Sequence, residues 1–163
     1  MSTQKLVRLA LLTAAALALH LAEAQLPPLI PVPGVKLGLA NLVSLWALAA
    51  WGPGEAALIL LARVLLGGLF AGQLLTLLYS LSGGLLCLLA MVLLRRAAAP
   101  GQLWVVSVGG ALAHNLGQLT AAVLVTRTPA LLLYLPILLA SGVVTGLFIG
   151  LTTQLLRTKL PRV

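Results

Sequence analysis

The sequence has almost no acidic side chains. Its 163 residues contain no aspartate and two glutamates, Glu23 and Glu55. Protein sites that hold Mg²⁺ against a phosphate use carboxylates as metal ligands, and two isolated acids are too few for a hydrolytic metal centre. The sequence also lacks a phosphate-binding loop motif, so any use of ATP requires another subunit. We therefore expect no enzyme activity, no metal and no cofactor from this chain.

Charge and cysteine are scarce as well. Charged residues make up 7 % of the sequence and hydrophobic residues 61 %, whereas a typical soluble domain has about 25 % charged residues. The mean hydropathy is +1.16. These values exclude a soluble domain and predict an integral membrane protein. The single cysteine, Cys87, lies within an apolar run, which excludes a disulfide framework and favours a free thiol in the core.

The apolar segments predict an all-α integral membrane protein, a six-transmembrane-helix bundle that forms one transmembrane domain over 1–163. The second segment is short for a full span, and we expect its flanks to extend it. The first segment ends in Ala22-Glu23-Ala24, which resembles a signal-peptide cleavage site, but His20 within the run favours a helix that is retained. The six predicted helices cover residues 6–22, 37–51, 55–72, 74–94, 103–125 and 131–156.

A proline-rich loop separates the first two predicted helices at residues 25–36. Pro27, Pro28, Pro31 and Pro33 exclude a helix there, because proline fixes φ and has no amide donor. The segment is either a plain interhelical loop or a re-entrant or capping loop that closes a site. We favour the second interpretation, because a rigid loop loses little further entropy when it orders over a ligand.

The basic residues give the chain a net charge of +8. They lie at the ends of apolar segments, where membrane topology explains them, so we predict no nucleic-acid partner. With a cytoplasmic N-terminus, seven basic residues fall inside and two outside, which predicts a multi-pass protein of the bacterial inner or plasma membrane with both termini cytoplasmic and the proline-rich loop extracytoplasmic. The inner residues are Lys5, Arg8, Arg95, Arg96, Arg157, Lys159 and Arg162, and the outer ones are Lys36 and Arg127.

Polar side chains inside the apolar segments gather in the outer half of the predicted bundle, given a rise of about 1.5 Å per residue. They either hydrogen-bond between helices or line a ligand site open to the outside. Arg63 could snorkel, pair with Glu55 or meet an anionic ligand, and His20 and His114 could in principle ligate a haem, although no spacing motif supports that. The predicted ligand-binding residues are Lys36, Asn41, Arg63, His114, Asn115 and Gln118.

Small residues of the first helix form a second pattern. Ala10, Ala14, Ala18 and Ala22 recur every fourth residue and share one helical face. A strip of this kind allows another helix to approach closely, so we predict that these four alanines form a docking face for a partner.

Four short motifs resemble the Gx transporter family, which is often labelled heptaprenyl diphosphate synthase component I. They are Pro33-Gly-Val-Lys-Leu-Gly-Leu-Ala-Asn41, Arg63-Val-Leu-Leu-Gly-Gly68, Ser80-Leu-Ser-Gly-Gly84 and Ala113-His-Asn-Leu-Gly-Gln118. That family is similar to the substrate-binding S components of energy-coupling factor importers. The resemblance implies six helices and a small ligand bound near the outer face. It also implies docking through small residues of helix one onto a membrane coupling subunit with two ATPase subunits.

The resemblance leaves three functions open. The first is an S-component-like importer subunit, whose ligand the family label relates to isoprenoids or quinones. The second is a non-catalytic membrane subunit associated with polyprenyl diphosphate or quinone metabolism or with membrane electron transfer. The third is a purely structural assembly subunit. We favour the first.

Overall fold

The computed structural model describes residues 2–25, 36–99 and 101–159. Every regular element within these ranges is helical. The proline-rich segment lies almost entirely outside the described residues, so the capping loop stays a prediction. The elements are α1 Thr3–Gln25, α2 Leu39–Ala50, α3 Pro53–Ala71, α4 Leu74–Ala97, α5 Leu103–Thr126, a 3₁₀ helix Pro129–Tyr134, and α6 Leu135–Lys159.

The lengths and compositions of the helices fit a membrane-spanning bundle. In the described part of the chain, five helical segments are long and apolar enough to cross a membrane, and α2 is a shorter apolar helix. Large apolar side chains such as Leu69 and Leu133 are 76 % and 81 % exposed, which suits a surface that faces lipid rather than water. The prediction of an all-α membrane bundle is confirmed.

Two of the differences between the predicted and the observed helix boundaries have an identifiable reason. Helix α2 has 12 residues and is not extended by its flanks, where Gly38 has φ 72° and Gly52 has φ 116°. Residues 131–134 belong to the 3₁₀ helix and not to the last helix. Pro136 has no amide to donate to the carbonyl of Leu132, which instead accepts from the amide of Leu135.

The six helices form a closed ring whose order differs from the order of the chain. Helix α1 packs on α3, α3 on α4, α4 on α5, α5 on α6, α6 on α2, and α2 returns to α1. Apolar side chains fill much of the interior of the ring, and Leu45, Ile59 and Val106 are at most 1 % exposed. Helix α2 also packs on α3 and contacts α4, so it lies against helices across the ring as well as beside it. Polar side chains from several helices can therefore reach one shared interior.

Glycines set the tightest contacts in the ring. A Cβ atom on Gly117 would lie 2.8 Å from the carbonyl oxygen of Ser82, and one on Gly146 would lie 2.7 Å from the Cα atom of Val108. The Ser82 hydroxyl also donates to the carbonyl oxygen of Gly117 at 3.2 Å. Helix α5 therefore approaches both α4 and α6 through backbone contacts, which fixes the rotation of α5 about its axis.

Candidate functional site

One cavity brings together all six residues that the sequence predicted as a ligand site. Its volume is about 70 Å³. Every one of the six helices contributes to its wall. The described lining residues are His20, Lys36, Leu37, Gly38, Ala40, Asn41, Arg63, Ser80, Cys87, Met91, Ser107, Ala111, His114, Asn115, Gln118, Thr145, Gly146 and Ile149.

The start of α2, which borders the main cavity, is held by Glu23, a residue that was not predicted to belong to the site. Its two carboxylate oxygens accept hydrogen bonds from the backbone amides of Gly38 at 2.7 Å and Leu39 at 3.0 Å. The first amides of a helix have no partner within the helix and carry partial positive charge, so a carboxylate is a favourable cap. Glu23 thus ties the start of α2 to α1, with the exposed Lys36 just before it.

Arg63 is buried inside the ring at 6 % exposure. Its Nη2 donates to Oδ1 of Asn41 at 3.3 Å, and its Nε has no hydrogen-bond partner among the described residues. Glu55 pairs with Lys5 at the other end of α3, so the ion pair of Arg63 with Glu55 does not form. Its burial also shows that the guanidinium does not snorkel to the membrane surface.

His114 lies against α4 at a point where that helix has a glycine. A Cβ atom on Gly83 would be 2.9 Å from the carbonyl oxygen of His114 and 3.0 Å from its imidazole ring. Nδ1 of His114 is buried and makes no hydrogen bond to the described residues. Gln118, one helical turn farther along α5, lines the same wall. Because Gly83 has no side chain, the imidazole of His114 fits between α4 and the cavity.

Asn115 takes part in the interhelical bonding that the sequence left open as an alternative. Its Nδ2 donates to the carbonyl oxygen of Leu138 on α6 at 2.6 Å. Gly142 makes space for this contact, since a Cβ atom there would lie 2.9 Å from the same nitrogen. Asn115 is therefore both a wall residue and a link between α5 and α6.

The cavity extends farther along the helices than the polar cluster that the sequence predicted. Cys87 and Met91 in the second half of α4 and Ser107 in the first turns of α5 line it, and none of them was in the predicted set. One signal could have found Ser107. It precedes Gln118 by 11 residues, which is three helical turns, so both side chains lie on one face of α5. Cys87 and Met91 gave no signal, because apolar residues fill most positions of α4.

A second, smaller cavity adjoins the first between α1, α3 and α4. It is lined by His20, Arg63, Val64, Gly67, Gly68, Thr76, Leu77 and Ser80, and it shares His20, Arg63 and Ser80 with the main cavity. A Cβ atom on Gly67 would lie 3.2 Å from the ring of His20. The imidazole and the guanidinium therefore stand at the partition between the two spaces.

The four alanines of the predicted docking face are all exposed on α1. The opposite side of that helix carries Leu9 and Ala16, which are 7 % and 0 % exposed and pack into the core. The alanine strip thus points away from the ring. No group of three or more histidine, cysteine or acidic side chains within residues 2–25, 36–99 and 101–159 could hold a metal ion.

The chain matches the model of the family described as heptaprenyl diphosphate synthase component I over residues 12–156. The chain belongs to this family. The match to heptaprenyl diphosphate synthase component I contains all six predicted ligand-binding residues and three of the four alanines, with Ala10 just before it. No curated protein and no solved structure matches the chain.

Proposed function

We propose that this protein is the ligand-capturing subunit of a membrane importer, similar to the S components of energy-coupling factor transporters. The observation that carries the proposal is a polar cavity inside an apolar ring of helices. We take its mouth to be at Lys36, an exposed residue of its wall just before α2. With the topology predicted from the basic residues, that mouth faces the extracytoplasmic side. A small ligand would enter there and be enclosed by all six helices.

Partner subunits would supply the energy, since the sequence has no phosphate-binding loop motif. We assign docking to Ala10, Ala14, Ala18 and Ala22, because they are exposed and point away from the ring. Small side chains let two helix backbones approach closely within a membrane. The partners that fit this arrangement are a membrane coupling subunit and two ATPase subunits.

The contacts of the two glutamates favour a role without catalysis. Glu23 caps α2 with both carboxylate oxygens, and Glu55 pairs with Lys5. Neither carboxylate is among the described residues of the main cavity wall. Both acids are thus engaged in holding helices together, which leaves no carboxylate in the cavity wall for acid–base chemistry or Mg²⁺ binding.

The family description favours a second candidate. It names a component of heptaprenyl diphosphate synthase, so the protein could serve as a non-catalytic membrane subunit associated with polyprenyl diphosphate or quinone metabolism. Purification from gently solubilised membranes separates the two. A coupling subunit with ATPases in the complex supports the importer, and a polyprenyl synthase supports the second candidate.

The capture role is tested by native mass spectrometry of the protein with its retained small molecule. We expect Gln118→Ala to retain the molecule about two- to tenfold less tightly, which is the value of one neutral hydrogen bond. The exposed Gln73, outside the main cavity, provides the matched control Gln73→Ala, which should behave as wild type. Equal retention by all three proteins would place the ligand elsewhere.

The docking role has its own variants. Ala14→Trp and Ala18→Trp should abolish co-purification of partner subunits, because a bulky side chain prevents close approach of a second helix. Ala24→Trp is the control, since Ala24 is also exposed but points about 120° away from Ala18 around the axis of α1. Ligand retention should persist in all three variants. Loss of retention together with association would mean that the strip packs within this protein's own bundle.

A further inference from the structure

We infer that the main cavity binds its ligand through an oxyanion, a carboxylate or phosphate group, held by Arg63. The inference rests on the proposed capture role and names the chemical class of the ligand. A neutral ligand would overturn it and leave that role intact.

The state of the Arg63 guanidinium is the first support. A guanidinium has five N–H donors, and Arg63 makes one side-chain hydrogen bond to the described residues, to Asn41. It is 6 % exposed, and its Nε is buried without a hydrogen-bond partner in the part of the chain that the structure describes. Such groups are costly inside a membrane protein unless they are paired. Because Arg63 lines the main cavity, a ligand placed there can reach it.

The balance of charge is the second support. The chain has two acidic side chains in all, so none lies in the undescribed residues. Glu55 is paired with Lys5, and Glu23 bonds to the amides of Gly38 and Leu39. Neither makes an ion pair with Arg63 among the described residues. No other acidic side chain can supply a counter-charge, so the protein itself provides none in contact with Arg63.

The electrostatics of the cavity wall is the third support. Lys36 adds a second cation at the mouth, and no acidic residue is among the described residues of the wall. A cleft lined by charges of one sign concentrates ligands of the opposite sign at its entrance. The planar guanidinium matches the two oxygens of a carboxylate or phosphate, which a single hydroxyl or carbonyl group of a neutral ligand does not offer.

The oxyanion could belong to a soluble molecule or to the head group of an amphiphile. The experiment therefore uses four probes: inorganic phosphate, inorganic diphosphate, succinate and geranyl diphosphate. Uncharged geraniol is the control for apolar binding.

The test compares Arg63→Met with Arg96→Met in the full-length protein in uncharged detergent at constant ionic strength. Both variants remove one positive charge, but Arg96 is exposed in the last turn of α4, away from the cavity. We expect at least one probe to bind the wild type and to bind Arg63→Met about ten- to a hundredfold more weakly. Arg96→Met should bind within about twofold of wild type.

Stability of the empty protein gives a second measurement that does not depend on the choice of probe. Arg63→Met removes a buried charge without a counter-charge and keeps an unbranched side chain, so its thermal midpoint without ligand should equal or exceed that of wild type. The bound probe should raise the midpoint of wild type and leave that of Arg63→Met unchanged. Arg63→Lys keeps the charge and should retain weakened binding.

Three results would overturn the inference. The first is that none of the four anions binds the wild type. The second is equal weakening by Arg63→Met and Arg96→Met, which would assign binding to the overall positive charge. The third is a loss of stability in empty Arg63→Met with unchanged anion binding, which would make Arg63 a structural partner of Asn41.

Tighter binding of geranyl diphosphate than of inorganic diphosphate would support the inference and identify an amphiphile. The reverse order would support it with a soluble ligand.

Discussion

The cap that Glu23 forms on α2 leads to a quantitative prediction. Glu23→Gln keeps one acceptor oxygen, but it replaces the other with an NH₂ group that faces a backbone N–H. The carboxylate bonds at 2.7 Å and 3.0 Å are reduced to one neutral bond, and one amide at the start of α2 loses its partner. A hydrogen bond to a charged group contributes about 1.5–3 kcal/mol. We therefore expect the free energy of unfolding to fall by about that amount.

Glu55→Gln is the matched control, because it makes the same chemical change at the chain's other acid. Glu55 forms one ion pair with Lys5, whose side chain is 47 % exposed. Exposed pairs contribute about 0.2–1 kcal/mol, so this variant should lose distinctly less stability. Denaturant titration in mixed micelles measures both values.

A local readout separates the cap from general damage to the bundle. Leu37, just before the capped amides, is half-buried at the cavity mouth. With a cysteine at position 37, Glu23→Gln should increase its labelling rate, and Glu55→Gln should not. Equal losses of stability in the two variants, or an unchanged labelling rate, would refute the view that Glu23 orders the mouth of the cavity.

Two further predictions concern packing and topology. Gly146→Leu should lower the free energy of unfolding by about 1–3 kcal/mol, because the new side chain collides with the backbone of Val108. Gly54→Ala is the control and should leave that free energy unchanged in a denaturant titration, since nothing lies within 4 Å of the new Cβ atom. Equal effects of the two variants would contradict the packing argument. Cysteine at the exposed Thr128 should react with an impermeant reagent from the extracytoplasmic side and cysteine at Ala99 from the cytoplasmic side, and the opposite pattern would invert the bundle.

Much of this protein follows from local features of its sequence. Apolar runs of sufficient length predict membrane helices whatever their neighbours are, because the bilayer alone imposes that length. Six of the polar residues in the cavity wall could also be chosen in advance, since polar groups in or beside such runs tend to face an interior. The alanine strip could also be recognised from the sequence, because its four residues recur with a spacing that keeps them on one face of a helix.

The tertiary structure decided which of these groups meet. The ring order α1, α3, α4, α5, α6, α2 is not the chain order, and no local pattern encodes it. That order gives Arg63 the amide of Asn41 in place of a carboxylate, and it gives Glu23 the first amides of α2. The depth of the cavity is decided in the same way, since the distances between helices depend on where glycines on two different helices coincide. A sequence specifies each helical face by its periodicity, but the partner of a face is settled only when all six helices pack together.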